Sequence, residues 1–146
     1  MENSELLQLI DRAADEQWTE LDLSRMKLSS LPVEIGKLSS LTSLDLSINR
    51  IIEIPAEIGQ LSNLTSLDLN DNGIMNIPAE IGQLSNLTSF DLSNNQITDI
   101  PVEIGKLIKL ANFGLCNNKI TEIPEFFQSS QNLVKLDLDE NPLPTP

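Results

Sequence analysis

One signature returns along this chain at a fixed interval. The Leu that opens its Leu-Asp-Leu core falls at Leu21, Leu44 and Leu67, continues as Phe90 and Phe113, and ends at Leu136. Every step is 23 residues. An Asn follows five positions later at Asn49, Asn72, Asn95, Asn118 and Asn141, with Met26 in its place in the first copy. A Pro recurs at Pro32, Pro55, Pro78, Pro101 and Pro124. The full consensus is L-x-x-L-D-L-S-x-N-x-I-x-x-I-P-x-E-I-G-x-L-x-x. A period of this length marks one supersecondary unit that cannot bury its apolar face alone and must stack on its neighbours.

Each repeat can be read physically. Around Leu-Asp-Leu the apolar residues alternate, so this segment is a short strand with both Leu side chains turned to the core. Strands related by identical repeats are parallel neighbours, and parallel neighbours need a crossover of a dozen or so residues. The I-x-x-I-P-x-E-I-G-x-L stretch supplies it. Its Pro fixes φ and favours a tight turn or the start of a short helical segment. Its Gly (Gly36, Gly59, Gly82, Gly105) permits a close or a left-handed turn. The Asn column, Asn49, Asn72, Asn95, Asn118 and Asn141, is a structural ladder in which each amide side chain satisfies backbone groups left free where the strand bends away.

The two ends differ. Residues 4–16 carry Leu6, Leu7, Ile10, Ala13 and Ala14 at helical spacing, with Ser4 or Asn3 as N-cap and Glu5 in the first turn. This helix is expected to cover the apolar edge of the first repeat beside Trp18, as solenoid ends require. The last repeat has no such cover, and Leu136, Leu138 and Leu143 would present an open edge. A longer parent protein, end-to-end stacking of two chains, or a frayed final repeat would each account for it.

Composition narrows the function. Of 146 residues, 9 are Lys or Arg, 22 are Asp or Glu and none is His, a net charge of -13. That balance disfavours nucleic acid, whose phosphates need clustered cations. Without His there is no imidazole base and no Ser-His or Cys-His pair. Cys116, the single cysteine, can form neither an internal disulfide nor a Cys-rich zinc site. No phosphate loop or nucleophile elbow occurs, and the equal repeat lengths leave no insertion to shape a cleft. No cofactor, metal or catalytic residue is expected, and the chain is read as a non-enzyme. No targeting or membrane-spanning segment is seen, so the cytoplasm is the expected compartment. The sequons at Asn63 and Asn86 are by-products of the repeat.

The outward strand positions form columns. Between the two strand Leu residues run Asp22, Asp45, Asp68, Asp91 and Asp137, with Gly114 interrupting. Beside them lie Ser24, Ser47, Asn70, Ser93, Cys116 and Asp139, and then Arg25, Ile48, Asp71, Asn94, Asn117 and Glu140. Thr19, Thr42, Thr65 and Thr88 flank the strands on the other side. With parallel strands about 4.8 Å apart, the Asp column is a like-charge ladder. Between Arg50 and Lys106 there is no cation and there are eight acidic residues. Two readings of the ladder stay open: a structural column accepting hydrogen bonds from Ser or Thr hydroxyls, or a contact surface for a basic partner. The Glu column (Glu34, Glu57, Glu80, Glu103) reads as a solvated face. The partner-binding residues singled out are Asp45, Ile48, Asp68, Asn70, Asp71, Asp91 and Asn94.

These residues carry a family resemblance. The 23-residue consensus resembles the leucine-rich repeat, over residues 18–143. The I-P-x-E-I-G-x-L motif is similar to that of plant intracellular Ras-group-related proteins, animal Ras-binding scaffolds and bacterial Roco proteins. The opening E-L-L-Q-L-I-D-R-A-A-D-E-Q-W and the closing N-P-L-P are similar to the ends of the repeat region in bacterial, especially cyanobacterial, Roco chains. The resemblance implies an α/β, right-handed solenoid: a parallel concave sheet of about six strands, short helical or 3₁₀ turns on the convex side, and an N-terminal capping helix. The expected division is a cap over 1–17 and six repeats over 18–146, the last incomplete. The implied function is non-catalytic protein–protein interaction, as a monomer or an end-to-end dimer. The alternative is the recognition or regulatory arm of a Roco-type multidomain GTPase.

Overall fold

The computed structural model describes residues 1–129 and 133–144, and in it each 23-residue unit is one turn of a coil. Six strands form a single parallel sheet in chain order: β1 (Glu20–Asp22), β2 (Ser43–Asp45), β3 (Ser66–Asp68), β4 (Ser89–Asp91), β5 (Asn112–Gly114) and β6 (Lys135–Asp137). Leu21 pairs with Leu44, Leu44 with Leu67, Leu67 with Phe90, Phe90 with Phe113 and Phe113 with Leu136. Each partner is one repeat away, so the sequence period and the sheet register are the same quantity. The architecture is the expected leucine-rich solenoid with an N-terminal helix.

The strands are short because the chain bends at a fixed place. The residue before each ladder Asn, from Ile48 through Asp71 and Asn94 to Asn117, sits in left-handed backbone, as do Arg25 and Glu140, with φ between 54° and 59°. The return path then runs through a 3₁₀ segment: Val33–Lys37, Ala56–Gln60, Ala79–Gln83 or Val102–Lys106. Pro32, Pro55, Pro78 and Pro101 precede these segments with φ between -72° and -67°, the value the ring imposes. In the fifth coil a short α-helical turn, α2 (Phe126–Ser129), takes this place.

The glycine column answers the question left open by its sequence. No glycine has positive φ. What Gly59 provides is proximity: a methyl group there would lie 2.6 Å from the Glu80 carbonyl oxygen of the next coil. This closeness also changes the Glu column. Glu34, Glu57, Glu80 and Glu103 are half-buried rather than solvated; Glu57, Glu80 and Glu103 lie against the glycine of the preceding 3₁₀ turn, and Glu57 Oε2 and Glu103 Oε2 are enclosed without a hydrogen-bond partner.

The core is a continuous stack of Leu and Ile from every coil, with Phe90 and Phe113 stacked face to face at 5.4 Å between ring centroids. At one end α1 (Asn3–Asp15) lies over the first coil and buries Leu6, Ile10 and Ala13. Leu9, Ala14 and Trp18 are half-buried against the core, with Leu9 in the place expected of Leu7. The expected side-chain N-cap is absent. Glu2 holds that position with no side-chain bond, and its carbonyl accepts the Leu6 amide at 3.0 Å. The Met1 amino group donates to the Met26 carbonyl at 2.9 Å, which ties the entry to the first coil instead. At the other end Leu133, Leu136, Leu138 and Leu143 pack on the core but stay partly exposed.

Candidate functional site

On each strand the residues on either side of the inward Leu or Phe point away from the core. The register sets Asp45, Asp68 and Asp91 side by side on the concave face. Each turns its Oδ1 back to accept the backbone amide two residues on: Asp45 from Ser47 at 2.9 Å, Asp68 from Asn70 at 3.0 Å and Asp91 from Ser93 at 2.9 Å. Asp22 and Asp137 do the same with Ser24 and Asp139. This is the local turn geometry for which Asp is suited. The Ser47 hydroxyl adds a bond to Asp45 at 2.6 Å, and Asn70 Nδ2 adds one to Asp68 at 2.8 Å.

The Thr hydroxyls do not reach the carboxylates. Thr42, Thr65 and Thr88 donate to the carbonyls of Thr19, Thr42 and Thr65, one coil back. The sequon residues Asn63 and Asn86 likewise donate to Ser39 and Ser62. Each of Asp45, Asp68 and Asp91 therefore spends one oxygen on its own turn. Its Oδ2 accepts no bond among the described residues and is open to a ligand.

The ladder's charges act on one another. Asp68 lies above its ordinary value because it is half-buried and because Asp91 and Asp45 flank it, against the hydrogen bonds from Asn70. At the exposed start of the ladder, hydrogen bonding from Ser24, hydroxyl first and amide second, holds Asp22 below its ordinary value. Among the described residues the ion pairs are Arg12–Glu16 and Lys37–Asp11, both near the N-terminus. None neutralises β2, β3 or β4.

Ile48, Asp71 and Asn94 form the rim of this face at the left-handed bend. Asn and Asp tolerate that backbone, whereas a β-branched residue there is an outlier. Ile48 is 38% exposed in spite of it. Asn94 Oδ1 accepts the Asn117 side chain at 2.8 Å, and Cys116 is half-buried in the column behind.

Below the rim, Asn49, Asn72, Asn95, Asn118 and Asn141 point inward and bind the preceding coil. Asn95 Nδ2 donates to the carbonyls of Leu69, Leu92 and Ser93, and its Oδ1 accepts the Ile74 amide at 3.0 Å. Asn49, Asn72, Asn118 and Asn141 repeat the pattern. Among the described residues no three acidic or sulfur ligands converge as a metal site would need. In the same residues no helix is long and apolar enough to cross a membrane.

Sequence reasoning missed one feature of this face. Gly114 registers in the sequence only as a gap in the Asp column, but the gap opens a recess between Asp91 and Asp137.

A leucine-rich repeat region model matches residues 20–90, and a leucine rich repeat model matches residues 85–143. No curated protein matches the sequence. Among solved structures, the Leptospira interrogans LRR protein LIC12759 is 39% identical with a TM-score of 0.88, over 99% of this chain and 35% of that one. The chain thus spans about a third of that relative. The LRR ectodomain of the receptor kinase SOBIR1 from Arabidopsis thaliana is 32% identical with a TM-score of 0.74, over 84% of this chain and 71% of its own. The plant peptide hormone receptor RGFR1, solved in complex with RGF2, is 40% identical with a TM-score of 0.78, over 86% of this chain and 21% of its own. With two repeat models spanning residues 20–143 and a 32%-identical relative matched over most of its length, the chain belongs to the leucine-rich repeat family.

Proposed function

We propose that this chain is a non-catalytic protein-interaction module that grips a partner carrying a basic patch on its concave face. Asp45, Asp68 and Asp91 supply the field, Asn70, Asp71 and Asn94 supply adaptable polar contacts, and Ile48 supplies an apolar one. The observation that carries this reading is the in-register trio of half-buried carboxylates, each with an oxygen to spare and no cation beside it. Burial raises Asp68 first and repulsion from Asp91 and Asp45 adds to it, and a basic partner relieves that repulsion. A peptide-bound relative of the same fold supports a protein or peptide as the occupant. The rigid sheet lowers the ordering cost of binding. The compartment in which it acts is the cytoplasm.

Cross-linking in the native cell, followed by mass spectrometry, identifies the partner and maps its contacts. Cross-links should fall on the β2–β4 face, association should slow as salt is added, and Asp45→Asn with Asp68→Asn should weaken the complex. Contacts confined to the 3₁₀ side, or a rate indifferent to salt, would overturn it.

A second reading makes the module the recognition arm of a Roco-type GTPase. Its support is the I-P-x-E-I-G-x-L motif. Sequencing the reading frame beyond Pro146 decides it by the presence or absence of a phosphate-binding loop.

A further inference from the structure

The Asp ladder is broken at one rung. Between Asp91 on β4 and Asp137 on β6 stands Gly114, and the missing side chain leaves a recess of about 180 Å³. Asp91, Ser93, Asn112, Lys135 and Asp137 surround it. Asp91 leans over the gap, its Oδ1 2.5 Å from where a Gly114 methyl would sit, and Ser93 Oγ is 3.0 Å from the same point. Ser93 is only 8% exposed. Its hydroxyl has no hydrogen-bond partner among the described residues, whereas the hydroxyl of Ser47, at the equivalent place two coils earlier, is bonded to Asp45. Ser93 lines the recess, so its unbonded hydroxyl is free to accept a donor that enters there.

We propose that this recess seats one arginine side chain of the protein partner. The inference rests on the acidic-face reading above and names the contact that would orient the partner. The volume is below that of a small-molecule site and suits the end of a single long side chain. Its two carboxylates stand two strand spacings apart, about 9.6 Å at the strands. A guanidinium has donors on opposite edges of a rigid plane, so it can reach a carboxylate on each side while a further N–H meets Ser93 Oγ. A lysine ammonium is a point charge and would satisfy one carboxylate at a time. Lys135 also lines the recess, on β6 two residues before Asp137.

The test is an NMR titration of the full chain with the capped peptide Gly-Gly-Arg-Gly-Gly, and with its lysine and citrulline counterparts. The arginine peptide should shift the amides of Ser93, Asn112 and Gly114 and saturate. The lysine peptide should bind several-fold more weakly, and the citrulline peptide should leave the spectrum unchanged. Gly114→Asp is the decisive variant, because it fills the recess while adding negative charge. The new Cβ meets the end of the flexible Asp91 side chain, so the fold has room to adjust.

Loss of at least about tenfold in affinity supports a shaped site. Equal or tighter binding to Gly114→Asp, or shifts spread along Asp45 and Asp68, overturns it. Ser93→Ala, which keeps the recess open, should weaken the arginine peptide several-fold; an unchanged affinity counts against the site. If the Gly114 and Ser93 variants are silent while Asp45→Asn with Asp68→Asn still weakens the cellular complex, the recess is refuted and the acidic face stands.

Discussion

Removing the Asn95 side chain deletes four hydrogen bonds, but it leaves fewer than four groups unpaired. The Leu69 carbonyl keeps Asn72, the Leu92 carbonyl keeps Asn118, and the Ser93 carbonyl keeps the Asp71 amide. Only the Ile74 amide is orphaned, since Asn95 Oδ1 is its acceptor. One buried, unsatisfied amide costs about 1–3 kcal/mol. Asn95→Ala should therefore lower the unfolding free energy by more than about 1 kcal/mol, read from the midpoint and slope of urea denaturation. Asp68 argues the other way. Its acidity is displaced upward by burial first and by its two neighbours second, so the folded state holds this proton more tightly than the unfolded one. Its contribution is most favourable below the ordinary value of 3.8 and is lost as pH rises through the raised folded value. Asp68→Asn keeps an acceptor for the Asn70 amide and removes the charge. The variant should be more stable than the parent at pH 7, by less than about 1 kcal/mol because the group is half-exposed. That advantage should shrink to nothing as thermal melts are taken down through the carboxylate range. The Asn and Asp columns were legible in the sequence because they recur. The left-handed backbone at Ile48 was not. The bend is imposed by the following Asn and the coil it grips, and Ile48 itself carries no local sign of it.

Between coils, successive 3₁₀ turns approach closely, and glycine is what permits it. At Gly59 a methyl group would press on a backbone carbonyl of the next turn, which has nowhere to go. At Gly105 the next element is α2, and the same methyl would rest 3.5 Å from the Phe126 ring in ordinary contact. Two residues with one role in the repeat thus predict different outcomes. Gly59→Ala should cost about 1–3 kcal/mol as an overpacking change, whereas Gly105→Ala should be neutral or mildly stabilising by restricting the unfolded chain. Paired denaturation curves check it, and equal losses at both positions would contradict the geometry. The motif alone could not separate these two glycines, because the difference lies in the helical turn after Pro124 rather than in either glycine. The same holds at α1. Its apolar stripe was readable from spacing, but its first turn is fixed by a backbone bond to Glu2 and by the Met1 contact with Met26, which no capping residue announces.

Across the whole molecule the register was readable because a strict period leaves a stack of parallel strands one solution, with residue i beside its counterpart in the next repeat. The recess at Gly114 was not, because a gap in a column becomes a shape only when side chains from β4 and β6 surround it. Charge is likewise a property of the assembled coil. A net charge of -13 is wound into one solenoid, and the ion pairs seen are two exposed ones near the N-terminus. Exposed pairs contribute little, so salt has little attraction to screen and much repulsion. Raising ionic strength contracts the screening length to about 8 Å at 0.15 M, longer than the distance between neighbouring rungs but shorter than the stack. Distant carboxylates are silenced first. The thermal midpoint should therefore rise as sodium chloride is added, by a few degrees for about 1 kcal/mol at this chain length, while capture of a basic partner slows over the same range. Melting curves and association rates measured in matched buffers test both halves. A midpoint that falls with salt would mean that attractive pairs hold the coil together, and the acidic face would then be balanced rather than poised for a cation.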